Sequence, residues 1–166
     1  FQLIFPTLPH LAPLLQAEIG ALPQDKRLVT GAGHSAAAAA EERLVAYSAA
    51  TAALAASGTV SLELAAAGTP MVIAYDMGLI SRLVIGSMVK IDTVTLVNLV
   101  SETRAVPEFI GKDCKAKRIA PALQQILKAP SAQVQAIEAT MTRLGRKDPD
   151  LRYRAARAVL TGLGRS

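Results

Sequence analysis

Tryptophan is absent and aromatic residues make up 4% of the chain, so stacking platforms for nucleic-acid bases have little material. Any core must come from aliphatic side chains and close helix packing. The single cysteine, Cys114, excludes an internal disulfide and a thiolate metal cluster, which suits a reducing compartment; it reads as structural or incidental. The two histidines, His10 and His34, lack the acidic or cysteine spacing of a metal site. Neither a serine nucleophile elbow nor a glycine-rich lysine phosphate loop occurs, which disfavours the chemistries those motifs serve. No run approaches the ~20 apolar residues of a membrane-spanning helix, and no basic stretch followed by an apolar one opens the chain.

What is present is a strongly aliphatic chain of 166 residues, 51% hydrophobic, which is enough for one domain with a sizeable core. The formal charge of +5 and pI near 9.7 fit nucleic acid, an anionic membrane or a phosphorylated small molecule, and charge alone does not choose among them. Lys112, Lys115, Lys117 and Arg118 form one basic group; Arg143, Arg146, Lys147, Arg152, Arg154, Arg157 and Arg165 crowd the C-terminal part. A solvated helical face explains most of them, and anionic lipid headgroups are the alternative. The chain opens at Phe1 on what reads as a buried strand, as expected for a piece of a longer polypeptide.

Along the chain, short apolar runs alternate with helical patterns. Residues 2–5 read as a strand stopped by Pro6, and 9–21 as a helix with Pro9 and Pro13 in its tolerant start. Residues 27–30 form the next strand and 31–33 a glycine turn; Ser35 caps an alanine-rich helix to about Tyr47, with 36–40 helical and not a linker. Strands follow at 52–56 and 71–75, separated by a helix to Ala67. Four strands interleaved with helices predict an α/β fold: a mainly parallel, Rossmann-like sheet with helices on both faces. Beyond Tyr75 the pattern predicts a helix over 79–88, an extended segment over 90–98, and helices over 115–128, 131–143 and 149–163.

The densest information lies in Ser57-Gly58-Thr59-Val60-Ser61-Leu62-Glu63, at the carboxyl end of the third strand, where such sheets bind ligands. Gly58 lets a ligand approach the backbone, Thr59 can cap the helix, and the first helical N–H groups suit a diphosphate. Glu63, four residues past Thr59, lies about one turn on and can accept hydrogen bonds from sugar hydroxyls. The same residues also make an ordinary helix cap with a favourable carboxylate. Asn98, amid Val97, Leu99 and Val100, either satisfies its own turn or fixes a substrate group. His10, just past the first strand, reads as an ordinary helix-start histidine, with substrate contact as the alternative.

The run Ala56 through Leu64, then Gly68-Thr69-Pro70-Met71-Val72-Ile73-Ala74-Tyr75, Val89-Lys90, Val97-Asn98-Leu99-Val100 and Val106-Pro107-Glu108-Phe109, resembles the lipid-A-disaccharide synthase family in order and spacing. Weaker likeness runs through 3–15 and 114–127, so it covers most of the chain. The resemblance implies an inverting glycosyltransferase of the two-domain GT-B type. Residues 1–166 would be its C-terminal nucleotide-sugar domain, with 131–166 a helical extension and the N-terminal acceptor domain absent. The family joins UDP-2,3-diacylglucosamine to 2,3-diacylglucosamine 1-phosphate, a lipid X-type acceptor, releasing UDP at the cytoplasmic face of the Gram-negative inner membrane. A peripheral enzyme on an anionic membrane surface follows, with no cofactor, metal or nucleic acid. A homodimer through 149–163 stays open.

By similarity, Gly58 and Thr59, in the turn opened by Ser57, would face the diphosphate, Glu63 the ribose, and Asn98 a polar group in the interdomain cleft. The family's Gly-Ser-Arg loop would lie upstream of Phe1. Asp76 stands where a basic residue is expected. No general base can be assigned in this chain, so the segment is expected to be inactive alone. Another UDP-sugar transferase or epimerase of the same fold, or a non-catalytic binding domain, are the competing readings.

Overall fold

The computed structural model describes residues 1–56, 58–76 and 93–164. Strand β1 (Gln2–Pro6) passes through a 3-10 turn (Pro9–Leu11) into α1 (Ala12–Ile19), and β2 (Asp25–Val29) into α2 (Ala36–Ala49). Strand β3 (Ala53–Ala55) leads to α3 (Val60–Ala67) and β4 (Met71–Tyr75). After them come α4 (Leu96–Ser101), β5 (Glu108–Ile110), a 3-10 turn (Gly111–Asp113), α5 (Ala116–Lys128), α6 (Ser131–Arg143) and α7 (Leu151–Gly162).

All described strand pairings are parallel, so each connection must cross back over the sheet, which the intervening helices do. β1 pairs β2 with Gln2 opposite Asp25, and the second sheet has the order β3-β4-β5. β4 is its middle strand, and Met71, Val72 and Ile73 are fully buried, as expected for a strand covered on both faces. The pairing is thus divided between two sheets, and α2 spans them by packing on β1, β2 and α3. Parallel sheets flanked by helices, ending in a helix, are the Rossmann-like arrangement expected from the sequence.

Local chemistry accounts for most boundaries. Ser35 accepts from the Ala38 amide at 3.3 Å, capping α2 as expected, and the alanine run is helical. Gly31, at φ +65, has to be glycine: a Cβ there would stand 2.4 Å from the Ala39 Cβ, so the turn lies directly on α2. Gly68 closes α3 in the left-handed conformation, with its amide and that of Thr69 returning to the Ala65 and Leu64 carbonyls. The helix expected over 9–21 is split: a 3-10 turn at Pro9–Leu11 precedes an α-helix that begins at Ala12, with Pro13, which has no N–H to give, in its first turn.

Two further features differ from the expected pattern. Of the extended segment expected over 90–98, 93–95 is irregular and 96–98 begin α4, while 79–88 and 90–92 lie outside the described residues. Its β-branched residues favour a strand locally, yet packing of α4 on α6 buries Val97 and Asn98 together and decides for a helix. The start of α4 is held by Glu108, whose Oε1 accepts from the amides of Val94 (3.1 Å) and Thr95 (2.6 Å) and whose Oε2 accepts from the Thr93 hydroxyl (2.9 Å). Glu108 itself begins β5, a fifth strand of three residues that is too short to show a period in the sequence.

The core gathers Tyr47, Leu64, Ala65, Met71, Ile73, Val97, Val106, Ala136, Ile137 and Met141. Two buried carboxamides tie it to the backbone. Gln133 of α6 accepts from the Met71 N–H at 2.8 Å and donates to the Met71 carbonyl at 2.9 Å, acting as a ladder partner for the start of β4. Asn98 of α4 does the same to Val106, donating at 2.8 Å and accepting at 2.9 Å. The Thr140 hydroxyl of α6 bonds the Val97 carbonyl at 3.1 Å, and Arg143 the Val100 carbonyl, joining α6 to α4. Each truncation, Gln133→Ala or Asn98→Ala, strands a buried donor and acceptor and should cost about 2–4 kcal/mol in urea unfolding. Leu99→Ala, at a half-exposed position of α4, should stay within about 0.5 kcal/mol. Equal effects from the three variants would contradict the clamp roles.

Candidate functional site

The turn that opens α3 follows the carboxyl end of β3, and of its residues Ser57 lies outside the described ones. Gly58 adopts φ +135, where side chains are strained, and a Cβ built on it meets nothing within 4 Å. The backbone there is open to an incoming group. The Gly58 carbonyl accepts from the Ser61 amide (3.3 Å) and hydroxyl (2.8 Å), and the Thr59 carbonyl from the amides of Leu62 (3.0 Å) and Glu63 (3.1 Å). The amides of Gly58, Thr59 and Val60 have no such acceptor among the described residues, so they are the donors available to an anion at the positive end of the α3 dipole.

Thr59 does not cap the helix with its side chain, contrary to the sequence expectation. Its backbone is already helical, at φ −61 and ψ −26, and the hydroxyl makes no cap bond. The cap geometry needs an extended residue, and the Ser61 hydroxyl turns back to the Gly58 carbonyl in its stead. Thr59 is exposed.

Glu63 stands in the first turn of α3 and is partly buried. On α2, which packs against α3, Tyr47 is 9% exposed. Burial, and after it the Glu63 charge, raise the Tyr47 phenol above its usual 10.0, with Arg43 acting in the opposite sense. The phenol therefore stays protonated at neutral pH. Tyr47 and Arg43 are not prominent in the sequence; the available signal is their i, i+4 spacing on an otherwise alanine-rich helix.

Asn98 is placed differently from a cleft residue. It is fully buried, and both its amide nitrogen and its carbonyl oxygen are engaged by Val106. It sits on α4, which packs against α3, so it supports the site from behind and presents no amide to a ligand in this conformation. Of the five residues singled out in the sequence, Gly58, Thr59 and Glu63 share one helix start; Asn98 belongs to the core. His10 is exposed in the 3-10 turn after β1, and Asp76 is exposed after β4.

Several basic side chains already have local partners. Arg118 pairs with Asp113, Arg143 with Glu102 (3.3 Å), Arg154 with Asp148 (2.5 Å) and Arg157 with Asp150 (3.3 Å), while Arg146 donates to the Ala66 carbonyl at 2.9 Å. Lys115, Lys117 and Lys147 are exposed. Among the described residues no helix is long and apolar enough to cross a membrane.

A family model described as lipid-A-disaccharide synthetase matches residues 2–159. Lipid-A-disaccharide synthase of Ruegeria pomeroyi is 48% identical over 162 residues, covering 98% of this chain and 40% of the relative. The Bradyrhizobium diazoefficiens enzyme of that name is 35% identical over 156 residues, covering 91% of this chain and 38% of the relative, and that of Rickettsia felis is 49% identical over 86 residues, covering 52% and 22%. The chain thus spans about two fifths of the length of the first two. Matched from residue 2 to residue 159, it belongs to the lipid-A-disaccharide synthetase family, glycosyltransferases of lipid A biosynthesis.

Proposed function

We propose that this chain is the donor-binding part of a lipid-A-disaccharide synthase and holds UDP-2,3-diacylglucosamine by its nucleotide. The observation that carries this reading is the open backbone at Gly58, at the head of α3, with a carboxylate one turn further along. The diphosphate lies against the amides of Gly58, Thr59 and Val60 and the Thr59 hydroxyl. Glu63 accepts from the ribose hydroxyls. A doubly charged diphosphate and a neutral diol need these opposite chemistries side by side, and a helix start with an acid one turn in provides both.

In the transfer, the acceptor hydroxyl of 2,3-diacylglucosamine 1-phosphate displaces UDP from the anomeric carbon with inversion. Negative charge develops on the leaving diphosphate, and preorganised N–H groups at the helix end stabilise it there without reorganisation. The acceptor hydroxyl must lose a proton to a base. No residue of this chain is assigned that part; its contribution is to the leaving group. Asn98 ties α4 to Val106, and α4 packs against α3.

The exposed Lys115, Lys117 and Lys147 favour peripheral contact with an anionic cytoplasmic membrane surface, where the acylated substrates reside. Since many arginines are engaged with local carboxylates, this contact is weak and electrostatic. Binding to vesicles containing anionic phosphatidylglycerol should be detectable at low salt and lost near physiological salt, as Debye screening predicts. No sedimentation with such vesicles at low salt would remove the membrane contact.

Calorimetry with UDP tests the nucleotide reading directly. The protein should bind UDP, and Glu63→Ala should weaken binding about tenfold or more, equivalent to about 1.4 kcal/mol, with little change in melting temperature. UDP affinity unaffected by Glu63→Ala would rule out the ribose role.

A further inference from the structure

Two strand edges in the structure are built like interior ones. Among the described residues β1 pairs with β2 alone and β3 with β4 alone, so each leaves one side unpaired. The Thr7 amide donates to the Val29 carbonyl at 2.9 Å, so Leu3, Phe5 and Thr7 turn their backbone groups to β2, and Gln2 and Ile4 turn theirs away. The Ala53 amide donates to the Pro70 carbonyl at 2.9 Å, which sets Ala53 and Ala55 on β4 and points the backbone of Leu54 away from it. Edges that face water are guarded by charges: β2 has Asp25, Lys26 and Arg27, whereas β1 and β3 have none.

Helix α2 connects β2 to β3 and packs on β1, β2 and α3, so it crosses from one sheet to the other over β1. Its Glu42, Val45, Ala46 and Ala49 stand at i, i+3, i+4 and i+7, the spacing of a core-facing stripe. With Ile4 and Val29 of the sheet they line a cavity of about 180 Å³, and Val45 is 63% exposed. A stripe of this kind over an open apolar floor lacks the layer that it is shaped to cover.

We propose that one parallel strand, from the part of the polypeptide that precedes residue 1, inserts between β1 and β3 and joins the two sheets into one. The order becomes β2-β1-insert-β3-β4-β5. Counted along the polypeptide this is 3-2-1-4-5-6, the doubly wound arrangement, and a strand ahead of β1 in sequence is what produces it. The chain spans 40% and 38% of the length of two relatives, and polypeptides of that length have the residues to supply the strand. The insert pairs with Gln2 and Ile4 on one side, as far as Pro6, which has no N–H, and with Leu54 on the other. Covered on both faces, it is a short and nearly continuous run of Val, Ile and Leu type, and its side chains beneath α2 fill the cavity. Its carboxyl end lies beside the Gly58 turn, where the strand order reverses.

Hydrogen exchange on the full-length polypeptide, resolved by residue, tests the insertion. With both sides of β1 and β3 paired, the Ile4 amide should exchange within about tenfold of Phe5, and Leu54 within about tenfold of Ile73. A free edge gives alternation instead: Phe5 protected, with Ile4 and Leu54 faster by about a hundredfold or more, and that pattern would overturn the proposal. Protection of Ile4 and Leu54 that disappears on dilution to monomers would assign the edges to a second copy and overturn it equally. In the same polypeptide Val45→Ser should lower the melting temperature by several degrees, because the insert buries that side chain. An unchanged melting temperature would mean that the cavity stays open and would contradict an inserted strand.

Discussion

The carboxamide of Gln133 on the Met71 backbone is the contact through which the rest of the structure is coupled. Met71 begins β4, the middle strand of the three-stranded sheet, and its N–H and carbonyl lie in a region closed to water. Without Gln133 the start of β4 would carry two unpaired polar groups, a cost comparable with a large fraction of a domain's net stability. With it, α6 is held on the strand, and α6 in turn carries Thr140 and Arg143, which bond the carbonyls of α4. One helix therefore sets the height of the strand and the position of α4 together.

From β4 the constraint reaches the candidate site in a few steps. The strand is entered through Gly68, Thr69 and Pro70, so the C-terminal end of α3 is fixed where β4 begins. Thr69 bonds Tyr47 in α2, and Asn98 holds α4 on Val106 while α4 packs on α3. Helix α3 is thus braced at its C-terminal end and along its flanks. Its N-terminal end, at Gly58 and Thr59, is left facing outward. Such a division, rigid support behind and open amides in front, is what the proposed anion site requires of a short helix.

Much of this arrangement was legible in the sequence. β4 and α6 were expected at the residues where they occur, because long apolar or amphipathic runs between clear breakers state their own type. The Gly58 turn and Glu63 were recognisable from spacing alone. The parts that were not legible depend on contacts distant in sequence. The short strand at Glu108 exists because β4 offers it an edge, and the helix at Leu96 because α6 buries it. Asn98 looked like a ligand group because a lone amide in an apolar run can serve a substrate or a backbone equally, and only the position of Val106 decides. Thr59 looked like a cap for the same local reason.

The measurement bearing most directly on the nucleotide grip is a titration of the ¹⁵N-labelled protein with UDP, followed through its backbone amide resonances. The largest shifts should fall on Gly58, Thr59 and Val60, followed by Glu63, with the amides of α6 and α7 nearly unmoved. Saturable shifts centred on α5 to α7, or none at UDP concentrations in the millimolar range, would contradict a diphosphate at the head of α3.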